Sequence, residues 1–489
     1  MMTTTKTYDY IVIGAGSAGL SFSALMERKG FSVALIEAHS LPGGCSSYFE
    51  RDGYIFDAGA TTLSGLKSNR PIANLIKDLD LKLELTAIDP GIVSILKNKI
   101  IHRYKNPMKW NEELIRVFPK IQHEKFWTKV SELEHSGWSL TQDFKNIPLR
   151  SFSTLPSFFN SKFFSAIKSL PNLFKSVGAE LNDLAINDPD YLAMIKEMLF
   201  ITAQNNELND TPLLMGAMGL AYPEDTFYAT GGMKAFANAL ASKCSNIFYR
   251  NEVRQILPIN NGRDGFQVLT NKQMLQGKKL ISTIPIWNHE ILFDDKKVKS
   301  FFQKYPAPQP DECWSAFMIY LTVPVDYNRD SLYYQIHTDA IPHCGTHSFF
   351  VSLSHPKDEV RSINGRQVVT ISTHTRSKEW LKLDRVDYEN KKDETSEFIL
   401  NYLKKAFNIT DSDLQNVMTG TPKTFIKYTH RNSGLVGGIP HSLKRSPLDF
   451  LIAKSPLENF YMLGDTQFPG QGIAAVILGA QNLENYLTN

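Results

Sequence analysis

Short apolar runs closed by glycine or by an acid set the frame of this chain. Tyr10-Ile11-Val12-Ile13 reads as a buried strand that breaks at Gly14-Ala15-Gly16-Ser17-Ala18-Gly19 and continues as a helix from Leu20. Ser32-Val33-Ala34-Leu35-Ile36 is a second apolar run, and it ends in Glu37. Asn246–Ile256 reads as a strand interrupted by a turn. Asn260-Asn261-Gly262 and Asp264-Gly265 then mark a hairpin, and Leu280–Pro285 closes that section as a further strand. Near the C-terminus, Leu463-Gly464-Asp465 leads through Phe468-Pro469-Gly470-Gln471-Gly472 into the helical pattern Ile473-Ala474-Ala475-Val476.

The first of these units has a specific chemistry. Gly14 permits a tight turn out of the strand, Gly16 lets the backbone approach a pyrophosphate, and Gly19 lets the helix lie close to the sheet. Ala15, Ser17 and Ala18 complete that turn, and unpaired N–H groups at the helix start favour a phosphate there. Glu37 stands eighteen positions beyond Gly19 at the tip of the next strand. A carboxylate there accepts hydrogen bonds from an adenosine ribose and repels a 2′-phosphate. Strand, glycine turn, helix and distal acid together predict a dinucleotide site.

Composition narrows the class without deciding it. A chain of 489 residues is too long for one core, so two domains are expected. Hydrophobic content of 42% is ordinary globular usage. A net charge of +3 gives no basis for nucleic-acid binding and is compatible with an anionic membrane surface. Cys45, Cys244, Cys313 and Cys344 form no Cys-x-x-Cys pair, which excludes a dithiol reductase and gives no metal site. No apolar run reaches the eighteen residues needed to span a bilayer, and the N-terminal residues run into the first strand without an apolar leader. A soluble, cytoplasmic or peripheral protein is the expectation.

After Glu37-Ala38, the chain reads Leu41-Pro42-Gly43-Gly44-Cys45-Ser46-Ser47 and then Gly53-Tyr54-Ile55-Phe56-Asp57-Ala58-Gly59-Ala60. This pair of segments resembles the amine-oxidase and phytoene-desaturase flavoprotein superfamily. The resemblance implies FAD as cofactor, with the Gly43-Gly44-Cys45 turn along the pyrophosphate and Ala58-Gly59-Ala60 approaching the flavin ring. It implies that Gly464-Asp465 contacts the ribityl–phosphate side, that Gly472-Ile473-Ala474 begins a helix aimed at the flavin, and that Val253 lies beside the adenine. A helix start so aimed stabilises charge on a reduced ring.

Phe468-Pro469-Gly470-Gln471-Gly472, Tyr228-Ala229-Thr230-Gly231-Gly232, Thr61–Leu66 and Gly434-Leu435-Val436-Gly437-Gly438 are similar to the carotenoid desaturase/isomerase branch. The likeness is nearest to carotenoid 3′,4′-desaturase and carotene isomerase members. It covers roughly residues 8–66, 226–256 and 420–489. Many relatives have Tyr-Pro-x-Gly-Gly where this chain has Tyr228-Ala229-Thr230-Gly231-Gly232.

The fold expected is therefore α/β, with a Rossmann-like, discontinuous FAD-binding domain from 1–66, 226–285 and 420–489. A mixed α+β substrate domain would take 67–225 and 286–419. Residues 144–179 form a candidate lid or membrane-association segment. From Phe144 to Ala179 there is no acid, but Lys145, Arg150, Lys162, Lys168 and Lys175 lie among seven phenylalanines, with prolines at 148, 156 and 171. That composition suits an interfacial anchor, and equally a cavity cap whose phenylalanines are core.

The resemblance implies oxidation or cis–trans isomerisation of C–C bonds in a long apolar polyene or isoprenoid. No second glycine fingerprint for NAD(P)H is present, so the expected electron acceptor is a quinone or oxygen, or none where the net reaction is isomerisation. When hydride leaves an allylic carbon, conjugation stabilises the cation left behind and a polar group must accept a proton. No residue declares itself as that group: Glu207, Glu224 and Arg150 are weak candidates, and the histidines are scattered. Retinol-saturase-like reduction, a flavin amine oxidase and a binding-only nucleotide module stay open as alternatives. Against an amine oxidase, Cys45 stands where that class has arginine after Gly-Gly.

Overall fold

The computed structural model describes residues 6–143, 169–304, 312–445, 453 and 455–488. Residues 144–168, which hold most of the candidate lid or membrane segment, lie outside the described residues.

Two seven-stranded sheets organise the molecule. The first has a parallel heart: Thr7–Ile13 lies between Met274–Ser282 and Val33–Ile36, and Val33–Ile36 pairs in turn with Ile247–Phe248. Phe460–Met462 adds a parallel strand to Met274–Ser282. Val253–Pro258, Phe266–Thr270 and Met274–Ser282 form an antiparallel meander at the same sheet. Every residue of Val33–Ile36 is buried, as expected for a parallel strand covered on both faces.

Alternation along the first strand feeds two cores. Tyr10 and Val12 pack with helices Ser17–Arg28, Pro71–Leu79, Gly232–Ala241 and Ile473–Thr488, through residues such as Phe22, Leu75, Phe236 and Ile477. Ile11 and Ile13 face the other side, against Phe266, Leu280, Phe293 and Phe460. The glycine turn is thus anchored between two packed layers. The sequence-distant segments 7–36, 247–282 and 460–462 meet in this one sheet.

The second sheet is antiparallel apart from one pairing. Its order is Gln415–Gly420, Ser315–Pro324, Arg366–Thr375, Ser348–Leu353, Tyr333–His337, Ile92–Leu96 and Lys99–Arg103, with Tyr333–His337 and Ile92–Leu96 parallel. Helix Arg385–Phe407 covers one face through Ile399, Leu403 and Phe407. A separate helical core holds Glu124–Asp143, Val177–Asp183, Pro189–Ala203 and Leu213–Leu220 together around Tyr191, Leu199 and Leu213. Among the described residues, no helix is long and apolar enough to cross a membrane.

Candidate flavin site and substrate chamber

The glycine turn is built by contact, not by composition alone. A Cβ on Gly19 would stand 1.9 Å from the Gly14 carbonyl oxygen, so only glycine lets the helix start lie on the turn. Gly14 itself has φ +97°, in the left-handed region. Helix Ser17–Arg28 follows with no side chain capping it and no acid in its first turn. Its positive end therefore stays available to an anion.

The other expected segments close around this turn. Gly43 N–H donates to the Ala15 carbonyl at 2.7 Å, laying the Gly43-Gly44 turn along the glycine loop. Ala60 N–H donates to the Cys45 carbonyl at 3.1 Å, and Ala58 N–H to Ser47 at 2.9 Å. Glu37 Oε2 accepts the Ala15 N–H, and Oε1 the His39 N–H, both at 2.7 Å. These bonds aim the carboxylate at the turn and leave lone pairs for a further donor. Burial pushes the Glu37 carboxyl above its ordinary pKa, with those N–H groups opposing.

One cavity of about 1650 Å³ runs past all of these elements. Its wall includes Gly14, Gly16, Ser17 and Ala18 of the turn, and Glu37, Ala38 and Val253 at one end. Gly43, Gly44, Cys45, Ala58, Gly59 and Ala60 follow, and Gly464, Asp465, Gly472, Ile473 and Ala474 come from the C-terminal segment. Of the cofactor-contacting residues expected from the sequence, only Ala15 and Gly19 stand behind this wall, one holding Glu37 and the other seating the helix. The donor set, the uncapped helix start and the acid at the far end suit a dinucleotide with a long reach, and FAD fits them.

Residues with no local signal complete the cradle. Arg431 Nη2 donates to Asp465 Oδ2 at 2.7 Å, and both side chains are nearly buried. The pair lies beside Cys45, whose thiol is raised by burial, with Arg431 opposing, and so stays protonated. A nucleophilic thiolate is not what this site presents. Asp57 is ion-paired with Arg361 at 2.9 Å and accepts the Met233 N–H at 2.8 Å. Asp358 takes the Gly231 N–H at 2.8 Å and the Tyr228 hydroxyl, which ties the Tyr228–Gly232 loop to the second sheet. Nothing near Arg361 or Arg431 in the sequence marks either, because each works across long chain separations.

Beyond the cradle the same cavity opens into a chamber under the second sheet. Phe200, Met215, Met218, Phe350, Leu140 and Leu173 supply apolar wall. His374 stacks on Phe200 at 4.0 Å, and burial lowers its pKa to about 4, so it is neutral near pH 7. Of the weak candidates for a proton acceptor, Glu224 is paired with Arg103 at 2.7 Å and Lys67 at 3.2 Å. Glu207 is absent from the cavity wall, and Arg150 lies outside the described residues. Among the described residues, no group of three His, Cys, Asp or Glu side chains could hold a metal ion.

The sequence profile of the flavin containing amine oxidoreductases matches residues 17–478. The chain belongs to this family. The cofactor of this flavoprotein is FAD, which Gly14–Gly19, Glu37 and the Asp465 loop could hold. Prolycopene isomerase from Daucus carota is 28% identical over 504 residues, covering 96% of this chain and 78% of that protein. A neurosporene-forming phytoene desaturase from Rhodobacter capsulatus is 22% identical over 289 residues, covering 57% of this chain and 52% of its own. Cyclohexylamine oxidase from Brevibacterium oxydans shares the fold of the flavoprotein, with a TM-score of 0.62 at 13% identity across 99% of this chain and 100% of that chain.

Proposed function

We propose that this flavoprotein desaturates or isomerises C–C double-bond systems of a long apolar polyene of the carotenoid type. The observation that carries the reading is the continuity of the cavity: the cradle between Glu37 and Ile473 opens without a wall into the chamber of Phe200, Met215 and Phe350. Similarity to prolycopene isomerase along nearly the whole chain supports the same substrate class. The bound flavin supplies two-electron chemistry at its ring. The protein's own residues bind and orient. Gly14–Ala18 and the start of Ser17–Arg28 hold phosphate, Val253 and Glu37 take the adenosine end, and Asp465, fixed by Arg431, sits on the ribityl side. The helix from Ile473 presents its positive end to the reacting region. The chamber wall excludes water and holds one bond of an apolar chain in place.

In this reading the flavin-binding part is 1–66, 226–285 and 420–489, and the substrate part 67–225 and 286–419 apart from helix Pro71–Leu79 and the stretch around Phe293 and Phe302, which pack in the cores of the nucleotide sheet. Electrons leave to a quinone or to oxygen, or cycle within the site when the net reaction is isomerisation. The polyene enters from a membrane surface touched by 144–179; from that segment, Leu170 and Leu173 are on the cavity wall and Phe174 is exposed. Anaerobic incubation of the FAD-loaded protein with lycopene, poly-cis-lycopene, hydroxylated acyclic carotenes and retinol tests the proposal. Flavin bleaching with a red-shifted polyene indicates desaturation, and a changed cis–trans profile without net reduction indicates isomerisation. Turnover of amines with no change in any polyene would refute it. A blue shift that requires pre-reduced flavin would move the assignment to saturation.

A further inference from the structure

The chamber wall is not apolar throughout. Glu197 on helix Pro189–Ala203, Gln335 on strand Tyr333–His337 and Ser348 at the start of Ser348–Leu353 all line the cavity. They are 5%, 2% and 5% exposed. Gln335 Nε2 donates to Ser348 Oγ, which donates to Glu197 Oε2. Thr373 Oγ1 donates to the Ser348 carbonyl at 2.8 Å and fixes that end of the strand.

One acceptor in this set is left over. Gln335 Oε1 is buried and has no hydrogen-bond partner. Glu197 has no ion pair among the described residues. Two other carboxylates on the cavity wall are satisfied: Glu134 pairs with Arg70 at 2.7 Å, and Asp225 accepts the N–H groups of Gly65, Leu66 and Lys67. Burial raises the Glu197 carboxyl above its ordinary value, which favours the neutral, donating form. A pure hydrocarbon lying here would leave Gln335 Oε1 permanently unsatisfied, a costly arrangement for a buried acceptor.

We infer that Glu197, Ser348 and Gln335 form an oxygen-binding subsite, and that the polyene this protein takes carries a hydroxyl group there. This rests on the polyene reading above. A hydroxyl gives one hydrogen bond and accepts others, so it satisfies the set whichever way the Gln335 amide is turned. Glu197 lies five residues before Thr202, whose carbonyl accepts the Gln471 Nε2–H of the C-terminal loop. That is about 8 Å along the helix axis. The hydroxyl therefore anchors the chain away from the reacting bond and sets which bond reaches the flavin.

The test titrates the full-length, FAD-loaded protein with two acyclic C40 polyenes in the same detergent micelles. One is the hydrocarbon, and the other is the same chain with one terminal hydroxyl. Binding is read from quenching of tryptophan emission, with Trp138 on the cavity wall. The hydroxylated chain is expected to bind at least about tenfold tighter, the lower end of what one buried hydrogen bond confers. Ser348→Ala, Gln335→Met and Glu197→Leu should bring that ratio toward one while flavin uptake is retained. Comparing the ratio across variants cancels the different partitioning of the two probes into micelles. Equal affinity in the wild type, or a preference unchanged in all three variants, overturns the subsite and leaves the polyene reading standing. Binding of neither polyene overturns both.

Discussion

Replacing Gly19 by alanine puts a methyl carbon 1.9 Å from the Gly14 carbonyl oxygen and 3.2 Å from Thr283 Oγ1. The first approach is about 1.5 Å short of ordinary contact, and the obstacle is backbone that no rotamer change can clear. The helix Ser17–Arg28 must lift from the turn, and its first N–H groups move with it. Overpacking of this kind costs about 3 kcal/mol of stability. Weakening two charge-assisted hydrogen bonds to phosphate costs a further 3 kcal/mol or so of binding, more than a hundredfold in FAD affinity. The assay is quenching of flavin fluorescence on titrating deflavinated protein, beside denaturant unfolding of the same sample. Gly30→Ala serves as control: Gly30 has φ +87° with nothing within 4 Å of its would-be Cβ. It should lose about 1–2 kcal/mol to left-handed backbone strain and keep its FAD affinity. A Gly19→Ala protein that binds FAD within threefold of the wild type would refute the reasoning.

Arg431→Met leaves the Asp465 carboxylate without its partner in a nearly buried position; flavin occupancy after purification should fall, with about 3 kcal/mol lost in denaturant unfolding. Arg361→Met strips Asp57 of its ion pair in an interior where both are under 5% exposed. A loss of about 3–5 kcal/mol is expected in the same assay, and Asp57→Asn in that background should recover part of it. His289 is fully buried, donates from Nδ1 to the Ile286 carbonyl and accepts the Ser282 hydroxyl at Nε2, and burial lowers its pKa from 6.5 to about 4. The unfolded chain thus binds the proton more readily, so stability is full above pH 6.5 and declines as pH falls toward 4, by about 3 kcal/mol from this one group. Unfolding free energies of wild type and His289→Leu between pH 7 and 4 should show a shallower acid slope in the variant.

What was legible in the chain was what local spacing encodes. Gly14, Gly16 and Gly19 announce a turn because a strand, a phosphate loop and a helix start must fit within ten residues. The Ile247–Phe248 and Val253–Pro258 strands, with the turn between them, and the hairpin at Asn260–Gly265 were readable from alternation and turn chemistry. The α/β class and the flavin cofactor followed from those motifs together with the resemblance. Arg431, Arg361 and Gln335 were not readable. Their roles depend on partners in space: Arg361 reaches Asp57 across 304 positions of chain, and Gln335 meets Glu197 only through Ser348. Helix Pro71–Leu79 was also opaque, since its amphipathic face does not say which core it joins; Ile72, Leu75 and Leu79 put it on the nucleotide sheet side. The order of the second sheet likewise depends on long-range pairing, such as Tyr333–His337 beside Ile92–Leu96, that no local pattern records.

A crystal structure of the FAD-loaded protein at a resolution that separates the isoalloxazine from the adenine decides most directly whether the two chain ends jointly enclose a flavin. The account predicts one FAD per chain, with adenosine at Glu37 and Val253, pyrophosphate over Gly14–Ser17 and Gly43, and the ring between Ala58–Ala60 and the helix start at Ile473, open toward Phe200. A flavin seated elsewhere, or a ring walled off from the Phe200–Phe350 chamber, would contradict it.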